Sequence, residues 1–261
     1  MKSLSKNLKY ILSRIKKADS ILLFLDYDGT LTPIVKTHYK AILQIKTKNL
    51  LKSLVKNESV KLSIVTGRSL TDIKRLVGLK GIRYCGCHGL DIDSVPKRGI
   101  LKKADNAKIH IAKAKKLLLS KLKNITGYEI EDKKLILALH YRNVSSSQLP
   151  FLKKAFYLAS KPYTDKGLLR TTSGKKVYEM RPNINWDKGS YCKYLLKSLK
   201  RPKKNILPIY IGDDKTDEAA FKALKQKGIT VFVTGERKTS LAEYYLNSTN
   251  EVVSFLKKLN S

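Results

Sequence analysis

The sequence predicts an α/β protein, a doubly wound parallel sheet interrupted by an inserted α+β segment. Three observations carry this. Runs at residues 21–25, 60–65 and 206–211 have strand length, and 21–25 is apolar without a break. Strands covered on both sides of a parallel sheet require that pattern. Segments with helical spacing alternate with these runs, as β-α-β crossovers demand. Between about residues 103 and 180 the alternation stops and then resumes.

Taken in order, residues 4–17 place Leu4, Leu8, Ile11, Leu12 and Ile15 on one helical face. The first buried strand, 21–25, ends at Asp26. Residues 41–56 read as a helix and 60–65 as the second strand, stopped by Thr66-Gly67-Arg68. A helix starts over 69–76, and 81–87 is a third strand closed by Gly86 and Gly89. The middle then reads as a Lys-rich amphipathic helix (105–123), a hairpin (128–131 with 134–141), a helix (147–160) and a second hairpin (168–172 with 176–181) turning at Ser173-Gly174. Afterwards come a helix at 187–199, a strand at 206–211, a helix at 218–226, a strand at 229–233 and a last helix at 250–259. The expected division is therefore 1–102 and 181–261 for the α/β core, with 103–180 inserted.

The net charge is +33, from 54 Lys+Arg against 21 Asp+Glu. Of the basic residues, 44 are Lys and 10 are Arg, spread in pairs such as Lys16-Lys17 and Lys257-Lys258 with no longer basic block. Arg, not Lys, is the residue of bidentate base and phosphate recognition. A nucleic-acid arm also concentrates its charge. The excess therefore describes a solvated surface, and no nucleic-acid partner is expected. Three cysteines, two of them spaced Cys85-x-Cys87, form neither a disulfide framework nor a zinc pair. The longest apolar run near the N-terminus, 21–25, is too short for a signal segment or a membrane span. A cytoplasmic protein without a membrane partner is expected, as a monomer or weak oligomer.

The chemistry concentrates in the minority charge. Asp26-Tyr27-Asp28-Gly29-Thr30-Leu31-Thr32 follows the first apolar strand directly, and ligands of open α/β sheets bind at the carboxyl ends of strands. Two carboxylates at i and i+2 there are costly unless neutralised. A divalent cation does this, and hard Mg²⁺ prefers oxygen ligands. An Asx turn ending the strand would also place an Asp there. The second cluster, Gly212-Asp213-Asp214-Lys215-Thr216-Asp217-Glu218, also follows an apolar strand. Helix capping explains Asp217 and Glu218 but not Asp213-Asp214. Two clusters at two strand ends can converge on one metal ion.

Together these motifs resemble the haloacid-dehalogenase-like phosphatases, and more narrowly the trehalose-6-phosphate phosphatases. The resemblance runs from residue 22 to 256. It is carried by the Asp26 motif, Val65-Thr66-Gly67-Arg68-Ser69, Gly86-Cys87-His88-Gly89, Glu131-Asp132-Lys133, Leu139-His140-Tyr141-Arg142, the stretch from Val177 to Pro182, Trp186-Asp187-Lys188-Gly189 and the Asp213 motif. Two positions depart from the family's habit: Asp91 where Glu is usual, and Thr66 where Ser is frequent.

The resemblance implies a Rossmann-like core with a cap of the C2 type, acting as a stand-alone enzyme. It implies Mg²⁺-dependent hydrolysis of trehalose 6-phosphate, the last step of trehalose biosynthesis, through an aspartyl-phosphate. Sucrose 6-phosphate or another phosphorylated glycoside is the nearest alternative substrate. Asp26 would be the nucleophile and Asp28 the acid–base group. Thr66 and Lys188 would contact the transferring phosphoryl group. Asp26, the Asp28 carbonyl and Asp213 would hold the metal, with Asp214 and Asp217 supporting its waters or Lys188. Glu131, Lys133 and Glu179 would bind the sugar, with Gly67, Arg68, His88 and Gly89 nearby. His140 and Arg142 would touch the sugar or support the cap's fold.

Overall fold

The computed structural model describes residues 1–35, 41–93, 99–174, 176–199, 205–236 and 238–260. Two compact units divide the chain: residues 1–95 with 186–261, and residues 96–185. The second unit thus begins seven residues earlier and ends five later than the expected 103–180.

Along the first unit, strand β1 (Lys2–Ser3) precedes helix α1 (Leu8–Lys16), which a 3-10 turn (Ser5–Asn7) leads in. Strand β2 (Ser20–Leu25), helix α2 (Ile45–Lys56), strand β3 (Val60–Val65), helix α3 (Leu70–Val77), strand β4 (Arg83–Gly86) and strand β5 (Asp91–Ile92) follow. In the second unit lie helices α4 (Ile100–Asn106) and α5 (Lys108–Lys121), strands β6 (Glu129–Asp132) and β7 (Leu137–His140), helix α6 (Leu149–Thr164), and strands β8 (Leu169–Gly174) and β9 (Val177–Pro182). The chain returns to the first unit with helix α7 (Lys188–Leu199), strand β10 (Ile206–Gly212), helix α8 (Glu218–Leu224), strands β11 (Ile229–Val233) and β12 (Tyr244–Leu246), and helix α9 (Thr249–Leu259).

The first unit's sheet has the order β1-β12-β11-β10-β2-β3-β4-β5. Every pairing is parallel except β4 with β5, an antiparallel edge. Leu22, Leu23, Phe24 and Leu25 are fully buried, the continuous apolar run doing what a central strand covered on both faces must do. Helix α3 shows how local chemistry sets its ends. Ser69 accepts a hydrogen bond from the Asp72 amide as N-cap, and Gly78 ends the helix at φ 59°.

The second unit is a four-stranded antiparallel sheet, β6-β7-β9-β8. One face, with Leu137, Leu139, Leu169 and Met180, packs with Ile111, Leu118, Leu152 and Phe156 of α5 and α6 into a separate core.

Two local expectations change, and two short strands are added. The second hairpin does not turn at Ser173-Gly174, because Ser173 pairs with Tyr178 and Gly174 with Val177. The turn lies beyond them and uses Lys176 at φ 61°. The Lys-rich helix 105–123 is two helices meeting at Ala107. Strands β1 and β12 escaped the reading because they are two and three residues long and exist only by pairing with each other and with β11. Among the described residues no helix is long and apolar enough to cross a membrane.

Candidate active site

Strand order builds the site. β2 is flanked by β10 and β3, with Leu25 in register with Ile211 on one side and Ile64 on the other. The residues just beyond these three strand ends are Asp26, Asp213 and Thr66. The chain leaves β2 toward one side and returns on the other, the topological switch point at which open α/β sheets bind ligands. The Asp26 amide donates to the Ile211 carbonyl at 2.9 Å, and the Thr66 amide to the Cys85 carbonyl at 2.9 Å.

Gly29 turns the chain away from the sheet at φ 80°, and a Cβ there would collide with the Asp213 carboxylate. Its amide donates to the Thr32 carbonyl at 2.7 Å, closing the loop over Tyr27–Thr32. The first Asp cluster therefore needs glycine twice, for the turn and for the close approach of the second cluster.

Lys188, the first residue of α7, is 2% exposed. Its ammonium donates to Asp26 Oδ1 at 2.9 Å and to Asp217 Oδ1 at 2.8 Å. Asp217 is fully occupied. Oδ1 also accepts from the Tyr210 hydroxyl at 2.6 Å, and Oδ2 accepts from the Asp213 and Asp214 amides at 3.1 and 3.0 Å. With two donors on each oxygen, Asp217 holds Lys188 and shapes the β10–α8 loop. Tyr210 was invisible as a functional residue in the sequence, where it reads as one more apolar strand position. Asp214 is exposed and caps the following 3-10 turn through the Lys215 amide.

The electrostatics suit a cation. Asp26, Asp213 and Asp217 place carboxylate oxygens within 4.8 Å of one another. Burial pushes the Asp26 carboxyl well above its ordinary value, Lys188 works against that, and Asp217 and Asp213 add to it. Burial, with the charge of Asp217, pushes Asp213 up to about 7, against a bond to Asp26 and the field of Lys188. Lys188 is held above its ordinary value because Asp217 and Asp26 outweigh the burial penalty. Asp213 Oδ1 is buried without a hydrogen-bond partner. Three carboxylates, one ammonium and an orphaned buried oxygen fit a hard divalent cation, with Asp26 and Asp213 as its side-chain donors.

The other expected residues fall in two groups. In the first unit Thr66 is buried, and its hydroxyl accepts from the Arg68 amide at 3.2 Å. Thr30, inside the first motif, keeps a buried hydroxyl without a hydrogen-bond partner. His88, at φ 56°, lies against Gly67, where a Cβ would meet its ring. Gly89 accepts from the Trp186 indole at 2.8 Å. Arg68 grips Asp28 with two bonds of 2.7 Å. Arg68 is 5% exposed and three residues past the end of β3, beside the loop that carries Asp28.

In the second unit Glu131 pairs with Ala138, Ala138 with Glu179, and Glu179 with Thr172, so one row crosses the whole sheet. Glu131 is bound by His140 Nε2 at 3.1 Å and Lys133 Nζ at 3.3 Å, and Glu179 by the Thr172 hydroxyl at 3.2 Å. The sheet brings Glu131, Lys133 and Glu179 to one face, opposite the packed core. His140 sits there as the partner of Glu131.

The three cysteines are buried, with no disulfide among them. Burial pushes the thiols of Cys85 and Cys192 well above their ordinary value, so they act as core residues.

Such a sheet, with Asp-x-Asp after its central strand and Gly-Asp-Asp after the neighbouring one, has the arrangement that the resemblance to the haloacid-dehalogenase-like phosphatases implies. A trehalose-phosphatase family profile matches residues 24–250. The chain is 37% identical over 260 residues to probable trehalose-phosphate phosphatase D of Arabidopsis thaliana, covering 95% of this chain and 69% of that protein. It is 34% identical over 259 residues to trehalose 6-phosphate phosphatase RA3 of Zea mays, covering 93% of this chain and 70% of that protein. Its fold matches the C-terminal domain of C. albicans trehalose-6-phosphate phosphatase with a TM-score of 0.77 at 23% identity, over 99% of this chain and 98% of that one. The chain belongs to the trehalose-phosphatase family.

Proposed function

We propose that the protein hydrolyses trehalose 6-phosphate to trehalose and inorganic phosphate. The observation that carries the reading is the buried Asp26–Lys188–Asp217 chain beside Asp213, at the carboxyl edge of the central strand.

Asp26 is the nucleophile. Lys188 holds Oδ1 through its ammonium, which orients the carboxylate and lowers the repulsion between it and an incoming phosphate. Attack forms an aspartyl-phosphate and breaks the bond between phosphorus and the sugar oxygen. Asp28 gives that oxygen its proton, then takes a proton from the water that hydrolyses the aspartyl-phosphate. Thr66 offers its hydroxyl to the phosphoryl oxygens. Asp26 and Asp213, with the Asp28 carbonyl, would hold Mg²⁺, which supplies charge neutralisation for the transferring group. Asp217 keeps Lys188 in place, and Asp214 caps the loop.

Sugar recognition falls to Glu131, Lys133 and Glu179, whose charged groups suit the many hydroxyls of a disaccharide. The row that carries Glu131 and Glu179 across one sheet face, with Lys133 bonded to Glu131, supports this assignment. Gly67, His88 and Gly89 would border the phosphate end.

The test is a panel of sugar phosphates with purified protein and Mg²⁺. Selective release of phosphate from trehalose 6-phosphate is expected, with loss of turnover in Asp26→Asn. Equal turnover of glucose 6-phosphate or sucrose 6-phosphate would overturn the substrate assignment.

A further inference from the structure

We infer that Arg68 is a positioning residue for Asp28, not a substrate ligand: its fork sets the plane in which the Asp28 carboxyl meets the leaving oxygen and the attacking water. The inference rests on Asp28 being the acid–base group.

Three N–H groups of the guanidinium are committed to carboxylates. Nε donates to Asp28 Oδ2 and Nη2 to Asp28 Oδ1, both at 2.7 Å. Nη1 donates to Asp72 Oδ2 at 2.8 Å. Its flat face lies over the Tyr27 ring, with Cζ 5.3 Å from the centroid, and the Tyr27 hydroxyl is itself tied to the Ala41 carbonyl at 2.8 Å. Asp72 is anchored in turn by Arg75 at 2.7 Å. Arg68 is 5% exposed, whereas the Asp28 side chain is 41% exposed. The substrate-facing member of the pair is therefore Asp28.

An Asp carboxyl turns freely about its last torsion, which has broad minima. A parallel pair of N–H···O bonds removes that freedom. It takes one lone pair from each oxygen and leaves the other pair on the open side. In the first half-reaction Asp26 bonds to phosphorus, the P–O bond to the sugar breaks, and the departing oxygen takes its proton from Asp28. In the second, a water oxygen bonds to phosphorus, its proton passes to Asp28, and the aspartyl P–O bond breaks. Both transfers use the outward lone pairs, so a carboxyl turned out of plane slows both. Lysine keeps the charge at position 68 but cannot form the fork.

The experiment uses Mg²⁺-loaded full-length protein, with wild type, Arg68→Lys, Asp72→Asn and Asp28→Asn compared on two substrates. p-Nitrophenyl phosphate leaves as a stable phenolate and needs no proton in the first half-reaction; trehalose 6-phosphate needs one. For Arg68→Lys we expect a rapid burst approaching one p-nitrophenol per enzyme, followed by a steady rate about 10²-fold below wild type. The first turnover of trehalose 6-phosphate should slow by a similar factor. Asp72→Asn, which keeps the fork and loosens its outer anchor, should show a smaller version of the same pattern. It carries the test if Arg68→Lys does not fold. Wild-type kinetics in Arg68→Lys, or equal slowing of both half-reactions on p-nitrophenyl phosphate with no burst, would overturn the inference. So would unchanged kinetics in Asp72→Asn if that variant carries the test. Asp28→Asn should reproduce the Arg68→Lys pattern. If it shows no burst, the acid–base reading of Asp28 fails and the inference falls with it. If Asp28→Asn shows the pattern and Arg68→Lys does not, only the role of Arg68 fails.

Discussion

Lys188→Met tests the charge balance of the site most directly. The substitution keeps much of the side-chain volume and removes one buried ammonium from between two carboxylates at 2.9 and 2.8 Å. Breaking a buried ion pair by deleting one partner destabilises by about 3–5 kcal/mol. For a chain of this size that is a fall in Tm of about 6–20 °C. The sign with pH follows from the carboxylates. Asp26 and Asp213 already titrate above their ordinary range because burial and neighbouring charge disfavour ionisation. A group raised on folding contributes stability that is present below its unfolded pKa and lost as pH rises through the folded one. Lys188 opposes both upward shifts, so its removal raises them further. The stability deficit of the variant should therefore be largest near pH 8 and shrink toward pH 5, where protonation relieves the uncompensated charge. The assay is thermal unfolding of metal-free protein by circular dichroism across that range, with phosphatase turnover alongside. Loss of a charge-stabilising donor predicts a fall in kcat of at least about 10²-fold. A Tm deficit constant with pH, or turnover within a few-fold of wild type, would refute the reasoning.

Three further outcomes follow from the same geometry. In metal-free wild type, Asp213 at about 7 contributes stability that is lost as pH rises through that value; added Mg²⁺ should therefore raise Tm more at pH 8 than at pH 5.5. Gly29→Ala forces a Cβ at φ 80° into the Asp213 carboxylate, and should cost about 10²-fold in kcat and weaken Mg²⁺ binding measured by calorimetry. Glu131→Gln and Glu179→Gln each remove a charge-assisted acceptor, and should raise KM for trehalose 6-phosphate by about 10- to 10²-fold while leaving p-nitrophenyl phosphate turnover unchanged.

The fold class was legible because its signals are local. A run such as 21–25 can only be buried on both faces, and it ends at an Asp-x-Asp-Gly that a strand end can present. The same holds for 206–211 and its trailing Asp cluster. The chain divides into two units near where the periodicity changes. The bounds were not legible, because α4 lies ahead of the Lys-rich segment and nothing in the composition marks its start. Lys188 stood out from 43 other lysines only through the resemblance of its surrounding motif, since composition alone makes any lysine a surface residue.

By itself, then, the sequence determined the strand-end carboxylates, the glycine that lets the chain turn at Gly29, and the separate character of the inserted unit. The tertiary structure alone decided which charged groups meet. Lys188 reaches Asp26 across 162 positions and Arg68 reaches Asp28 across 40. Asp217 is spent on Lys188, Tyr210 and two amides, and Tyr210 acquires a role no strand pattern announces. The reason is that periodicity fixes which face of an element is buried, whereas partners are fixed by strand order. Only the sequence β10-β2-β3 in space brings these strand ends side by side.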